Sequence, residues 1–232
     1  MRGWSKRIES GAAEFELTDT GIFDDNRYFD VFVEYAKTSP DEILIRIEAA
    51  NRGSEAATLH LLPTLWFRNT WSWDGVRAKP SLYAVSDRAI HAGKMSLECP
   101  AGAQLLFTEN ETNNARLYGA PNATGFAKDG INDFVIHRAA SVNPARRGTK
   151  AAAYVKREIG GGESAIVYLR LTNRLDSAVD YDRVFKERRR EADEFYASVI
   201  PADLSEDAAN VMRQSFAGML WSKQFYHYVV KD

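Results

Sequence analysis

A single cysteine, Cys99, among 232 residues excludes an intrachain disulfide and any metal site built on cysteines. That usage fits a reducing compartment, and the cytoplasm is the expected location. Histidine is also sparse. His60, His91, His137 and His227 are scattered without an H-x-x-x-H pair, so none stands beside an obvious metal partner or nucleophile. No G-x-S-x-G elbow and no glycine-rich phosphate loop occurs. Neither charge sign is in large excess: 30 Lys and Arg against 32 Asp and Glu leave a formal net charge of −2, which gives no reason to expect nucleic acid. No apolar run approaches membrane-spanning length, and the first ten residues lack the apolar centre of a secretory signal. No cofactor, metal, nucleic acid or membrane is therefore expected as a partner.

What is present is 45% hydrophobic and 12% aromatic residues, enough for a sizeable core. The first three quarters of the chain read as β. From Tyr28 to Tyr35, Phe29, Val31, Val33 and Tyr35 alternate with Asp30, Phe32 and Glu34, the pattern of a half-buried strand. Glu42 to Ala49 repeats it. "NRGSEA" then supplies turn chemistry before "TLHLLPTLWF", so these two strands are expected to form a hairpin, with Pro63 at an edge or a bulge. Further strands are expected at Met95–Cys99, Gln104–Thr108, Asp133–His137, Ala151–Ile159 and Ala165–Thr172, the last two joined by the hairpin signal "GGGES". Many short strands with no helix between them predict a mainly β fold, an antiparallel β-sandwich.

The period changes after Leu175. Val184, Phe185, Ala192, Phe195, Tyr196 and Val199 predict a helix over 181–199, ended by Pro201. Its basic run, Lys186 to Arg190, is interleaved with and followed by acids and reads as a solvated face. A second helix is expected from Ser205, a good N-cap, with an apolar stripe of Val211, Met212, Phe216, Met219, Leu220 and Phe225. The ending packs Trp221, Phe225, Tyr226 and Tyr228 into eight positions. That is more aromatic surface than two helices cover, and it predicts either further chain after Asp232 or a second copy.

Three polar stretches could carry chemistry. "PTLWFRNTWSWDG" offers Trp faces for sugar rings and Arg68 and Asn69 for hydroxyls; Trp66 reads as core, while Trp71 and Trp73 stand between interface and ligand. "LLFTENETNNARLYG" leaves an apolar strand end for Glu109, Asn110, Glu111, Asn113 and Asn114, which are too polar to bury unpaired. "AKDGINDFVIH" groups Lys128, Asp129, Asn132 and Asp133 around Gly130, as a turn or a cation site, although its spacing does not match the calcium loop. Glu109 to Asn114 are expected either in a polar network with Arg68, Asn69 and Lys128, or as a self-satisfied surface loop. The carboxylates carry no spacing signature for glycoside hydrolysis.

These stretches, together with "FELTDTGIFDDNRYFDVFVEYAK", "VNPARRGTKAAAYV" and "SEDAANVMRQSFAGMLWSKQFYHY", resemble in order bacterial glycosidase-like proteins related to glycoside hydrolase family 63. The resemblance runs from about Phe15 over nearly the whole chain. It implies an N-terminal β-sandwich of the super-sandwich type over 1–176, a linker helix over 177–200, and over 201–232 the first helix of an (α/α)6 barrel. The family hydrolyses α-glycosidic bonds with inversion, and both catalytic acids belong to the barrel. No position here matches its catalytic motifs, so no catalytic residue is implied, and "FYHYVVKD" departs from the usual continuation. The implied carbohydrate contacts are Arg68, Asn69, Trp71, Trp73, Glu109, Asn110, Glu111, Asn113, Asn114, Lys128, Trp221 and Gln224. The implied partner is the barrel; the alternative is a stand-alone saccharide-binding or interaction module that self-associates through its C-terminal helix.

Overall fold

The computed structural model describes residues 16–74 and 76–222. The chain divides into two compact units, one ending at Ser177 and the other beginning at Ala178. The first is built from strands β1 (Phe29–Ser39), β2 (Glu42–Asn51), β3 (Ala57–Leu61) and β4 (Thr64–Trp66), the single-turn helix α1 (Trp71–Asp74), and strands β5 (Leu82–Ser86), β6 (Ala89–Ala92), β7 (Met95–Glu98) and β8 (Gln104–Thr108). Helices α2 (Asn114–Tyr118) and α3 (Gly130–His137) follow, then β9 (Arg147–Gly148), β10 (Lys150–Ile159) and β11 (Ser164–Thr172). The second unit holds α4 (Tyr181–Val199) and α5 (Glu206–Trp221).

All strand pairs are antiparallel and form two sheets, so the fold is mainly β. The larger runs β1-β2-β11-β7-β6-β5-β9. In the smaller, β10 pairs with β3 and β4 along one side and with β8 along the other. The core lies between them: Ile47, Leu82, Ile90, Leu97, Val167 and Leu169 from the larger sheet meet Leu61, Leu105, Phe107, Ala151, Ala153 and Val155 from the smaller. Area removed from water at these positions, at roughly 25 cal/mol per Å2, is the main favourable term for this unit.

Neither expected hairpin at "NRGSEA" nor at "GGGES" forms. β2 pairs with β1 and β11, while β3 pairs with β10. The two segments are the paired corners at which one antiparallel ribbon leaves the larger sheet as β2/β11 and enters the smaller as β3/β10. Asn51, 3% exposed, ties them together. Its Nδ2 donates to Glu55 O at 2.8 Å and to Ile159 O at 2.9 Å, and its Oδ1 accepts from Gly53 N at 2.9 Å. A Cβ on Gly161 would lie 2.2 Å from Ser54 O, so the close crossing of the two corners requires glycine there.

Helices do interrupt the strands, contrary to expectation. The segment Asp133–His137 is the end of α3, not a strand. Ile131, Phe134 and Val135 recur at helical spacing and pack with Leu106, Ala152 and Tyr154 on the outer face of the smaller sheet. Gly130 sits so close to the chain that a Cβ would meet Ser141 O at 2.2 Å. The alanine run Ala151–Ala153, wholly buried, therefore has packing on both faces. One single-residue expectation also fails. Trp66 is 54% exposed, because the period of two turns Leu65 to the core and Trp66 away from it. In β1, which among the described residues pairs only with β2, Val31, Val33 and Tyr35 are 45%, 46% and 63% exposed.

One ion pair is buried within the sandwich. Arg170, 2% exposed, donates from Nε to Glu42 Oε1 at 2.7 Å and from its terminal nitrogens to Ser177 O at 2.6 Å and Ser177 Oγ at 2.5 Å, with Glu98 at 3.6 Å. Burial pushes the Glu42 carboxyl up, but hydrogen bonds from Thr38, Arg170 and Thr172 and the Arg170 charge outweigh it and hold the pKa below the ordinary value.

In the second unit, Asp180 caps α4 by accepting from Arg183 N, and Ser205 caps α5 by accepting from Ala208 N. The basic run of α4 forms ion pairs along its own surface, Arg188 to Glu191 at 2.7 Å and Arg190 to Glu194 at 2.5 Å. Arg213 of α5 reaches Asp193 at 2.7 Å and lies over the Tyr196 ring at 4.6 Å. Val211, Met219, Leu220 and Trp221 are more than half exposed. The expected continuation of α5, with Gln224 and Phe225, lies outside the described residues.

Candidate functional site

The polar stretch after β8 emerges from the core. Leu105, Leu106 and Phe107 are buried, and Thr108 still pairs with Lys150 on β10. From Glu109 onward the side chains fall into two networks. In the first, Thr149, 1% exposed, joins two groups: its Oγ1 accepts from Asn110 N at 2.7 Å and donates to Glu109 Oε2 at 2.8 Å. Lys79 stands between two carboxylates, 3.1 Å from Glu109 and 2.8 Å from Glu111. Trp71 donates its indole N–H to Glu111 Oε1 at 3.1 Å and is 9% exposed. Asn110 donates to Phe67 O at 2.9 Å, and Asn69 donates to Asn110 O at 3.1 Å. Two chain segments far apart in sequence, 67–79 and 108–111, are thereby stitched together.

Burial pushes the Glu111 carboxyl up, but the hydrogen bonds from Lys79 and Trp71 and the Lys79 charge outweigh it, so its pKa sits below the ordinary value. Burial pulls Lys79 down, and its bonds and charge interactions with Glu111 and Glu109 outweigh that in turn, so Lys79 is held cationic. Among the described residues, Glu111 Oε2 is buried without a hydrogen-bond partner. The unit as a whole is one ammonium shared by two carboxylates.

The second network is built on Asn113. Its Oδ1 caps α2 by accepting from Arg116 N at 3.1 Å and also accepts from Asn122 at 3.0 Å, and its Nδ2 donates to both carboxylate oxygens of Asp129 at 3.1 Å. Arg116 then bridges Asp129 and Asp133, each at 2.6 Å. The acidic residues considered for a cation are thus neutralised by a guanidinium.

The structure brings Asn69, Trp71, Glu109, Asn110 and Glu111 into one cluster, and Asn113 into its neighbour. Asn114 takes part through its backbone carbonyl at the end of α2. Lys128 takes part through its backbone, donating N–H to Glu111 O at 3.0 Å and accepting at its carbonyl from Lys150 Nζ at 2.9 Å. Arg68 lies instead over the Trp73 ring at 5.1 Å, with Arg77 at 5.9 Å. Trp73 is 62% exposed, so a sugar could reach it, and a guanidinium already lies over its ring. Trp221 is on α5, in the other unit, and 84% exposed. Gln224 is outside the described residues. Sequence reasoning missed Lys79, Thr149 and Arg116. No local pattern marks Lys79 or Thr149, since each reaches its partners through the sheets; Arg116 lay within the quoted polar stretch and three residues after an N-cap asparagine.

No family model matches the chain. It is 30% identical to the uncharacterized protein YMR196W of Saccharomyces cerevisiae over an alignment of 269 positions, covering 93% of this chain and 25% of that protein. The chain thus spans about a quarter of the length of the relative it matches.

Proposed function

We propose that this chain is the non-catalytic sandwich and helical portion of an inverting α-glycosidase-like protein, supporting a catalytic barrel and bordering its substrate entrance. The observation that carries the non-catalytic reading is the state of the carboxylates. Inverting hydrolysis needs one carboxyl held protonated as general acid and a second free to activate water, with about 6.5–9.5 Å between them. Glu111 is driven the other way, below its ordinary pKa, and both Glu109 and Glu111 are tied to Lys79. Asp129 and Asp133 are tied to Arg116. The match to a quarter of a much longer yeast protein supports a place within a larger polypeptide. The resemblance of the sequence blocks to glycosidase-like proteins supplies the chemistry of that larger protein.

A second reading, a saccharide-binding module, is favoured by Trp73, exposed beside Arg68. One set of assays separates the two. The purified chain is incubated with nitrophenyl α-glycosides and α-linked disaccharides, and the same sugars are titrated while tryptophan fluorescence is followed. The expected result is no turnover and no saturable quench. Turnover that Glu111→Gln abolishes would overturn the non-catalytic reading, and a saturable quench lost in Trp73→Ala would establish the module.

A further inference from the structure

We infer that the cleft beside the β2–β3 corner is a saccharide-binding site, with Phe29 on its floor and Asp25, Arg27, Tyr28, Asn51 and Glu55 as its polar groups. The cleft has a volume of about 430 Å3, within the range of small-molecule sites. Its walls come from two stretches, 25–29 at the entry to β1 and 51–57 between β2 and β3. No tryptophan lines it.

Register places this cleft at the end of the space between the sheets. Asn51 lies on the same face of β2 as Ile47, which is in the core, and Phe29 is directly opposite Asn51 on β1. Ala57 shares its face of β3 with Leu59 and Leu61, which also belong to the core. Here the apolar interlayer gives way to a polar lining. The walls are fixed by the corner itself: Arg52 N donates to Tyr28 O at 2.9 Å, the Arg52 side chain pairs with Asp30 at 2.6 Å, and Gly162 N donates to Gly53 O at 3.1 Å. Asn51, buried and bonded to both corners, holds the cleft in shape.

The main charged clusters of this unit are satisfied internally, Lys79 by Glu109 and Glu111, Arg116 by Asp129 and Asp133, Arg170 by Glu42. The cleft differs. Among the described residues, the side chains of Asp25, Arg27, Tyr28 and Glu55 make no hydrogen bond or ion pair, although all four residues line one cavity. Asn51 Oδ1 accepts from Gly53 N alone, and an amide oxygen has two lone pairs. A cation entering the cleft would meet the Arg27 guanidinium, and an anion would meet two carboxylates for one guanidinium. An apolar molecule would leave all of these groups covered and unpaired. Hydroxyl groups suit every one of them, donating to Asp25, Glu55 and Asn51 and accepting from Arg27 and Tyr28. Phe29 and Ala57 add an apolar surface for the face of a ring. That the polyhydroxyl ligand is a sugar rests on the carbohydrate reading proposed above; the demand for hydroxyls comes from the cleft itself.

The test follows backbone amide shifts by NMR while the purified, isotopically labelled chain is titrated with methyl α-glucoside, methyl α-mannoside and maltose. Sorbitol, inorganic phosphate and putrescine are the controls. Saturable shifts confined to 25–29 and 51–57 are expected with at least one sugar. Arg27→Ala and Glu55→Gln are each expected to weaken that binding about tenfold, with unchanged melting temperatures because neither side chain has a partner to lose. Ala56→Trp, which fills the mouth of the cleft, is expected to abolish it. No saturable shift with any of the sugars would overturn the inference. So would an affinity that survives both Arg27→Ala and Ala56→Trp. Sorbitol, phosphate or putrescine binding as tightly as the sugars would overturn the ligand class. These outcomes are separate from turnover, which is read on Glu111, and from the fluorescence titration, which is blind to a cleft without tryptophan.

Discussion

Replacing Lys79 with Met keeps the aliphatic stem and removes the charge that holds Glu109 and Glu111 together. The Lys79 side chain is 37% exposed, while the two carboxylates are 16% and 17% exposed. An exposed ion pair is worth about 0–1 kcal/mol, and breaking a buried one costs about 3–5 kcal/mol. Lys79 lies between these limits and serves two carboxylates, so the expected loss is about 2 kcal/mol. Glu111→Gln alone keeps an oxygen that can accept from Trp71 and is expected to cost about 1 kcal/mol. The double variant removes one of the two carboxylate charges left stranded by the first change, so it should cost less than the sum, with a coupling of about 1 kcal/mol. Urea unfolding followed by tryptophan fluorescence measures all three. The pH dependence supplies a second readout. The Glu111 pKa is lowered on folding, so its contribution is complete above about pH 4.5 and is lost as pH falls through the folded value. Lys79→Met removes the main counterweight to burial, and its stability should therefore fall less steeply on acidification than that of the wild type. Additive costs, or coincident acid limbs, would refute the reasoning.

Three other consequences are open to direct measurement. Asn51→Ala leaves Glu55 O, Ile159 O and Gly53 N without their side-chain partner at the sheet-crossing corner, and is expected to cost about 2–3 kcal/mol, read as a lower melting temperature. Glu42→Gln strips Arg170 of its main counter-charge while Glu98 remains at 3.6 Å; a loss of about 2–3 kcal/mol is expected at neutral pH, shrinking on acidification as the wild-type carboxyl itself protonates. Cys99 is 1% exposed, and burial first, then the Glu98 charge, pushes its thiol up to about 12 against the opposing pull of Arg88, so a disulfide reagent at mildly alkaline pH should not react until the protein is unfolded.

The long strands were legible because their apolar runs are long and bounded by turn residues, even though burial does not follow strict alternation: Ala151 to Val155 of β10 are all buried, and Val31, Val33 and Tyr35 of β1 are exposed. β2, β10 and β11 fall where the pattern put them, and so do α4 and α5, whose caps Asp180 and Ser205 are local signals. The failures came where a local signal has two global solutions. "NRGSEA" and "GGGES" contain glycines and polar residues suited to a hairpin, yet the same chemistry serves a strand that changes sheets. What decides between them is the pairing of β2 with β11 and of β3 with β10, which no window of sequence contains. "DFVIH" is short enough to satisfy a period of two or of 3.6, and the surface offered by Leu106, Ala152 and Tyr154 settles it as helix.

The candidate site shows the same limit at the level of single side chains. Of three tryptophans within eight residues, Trp66 was expected in the core and Trp71 and Trp73 between interface and ligand, and the fold sorts them otherwise: Trp66 turns outward, Trp71 is buried against Glu111, and Trp73 stands exposed beside two guanidinium groups. Glu109 to Asn113 were legible as residues that must find partners, because unpaired burial is costly. Their partners were not, since Lys79 and Thr149 lie 32 and 40 residues away along the chain. Once those partners are in place, a ligand hydroxyl approaching Glu111 Oε1 would compete with an ammonium and an indole already there, at about 1.5–3 kcal/mol for each charged hydrogen bond displaced. A stretch dense in carboxylates and amides is therefore better suited to joining two segments of the sandwich than to receiving a sugar, and of the tryptophans on this stretch Trp66 and Trp73, not Trp71, are open to a saccharide.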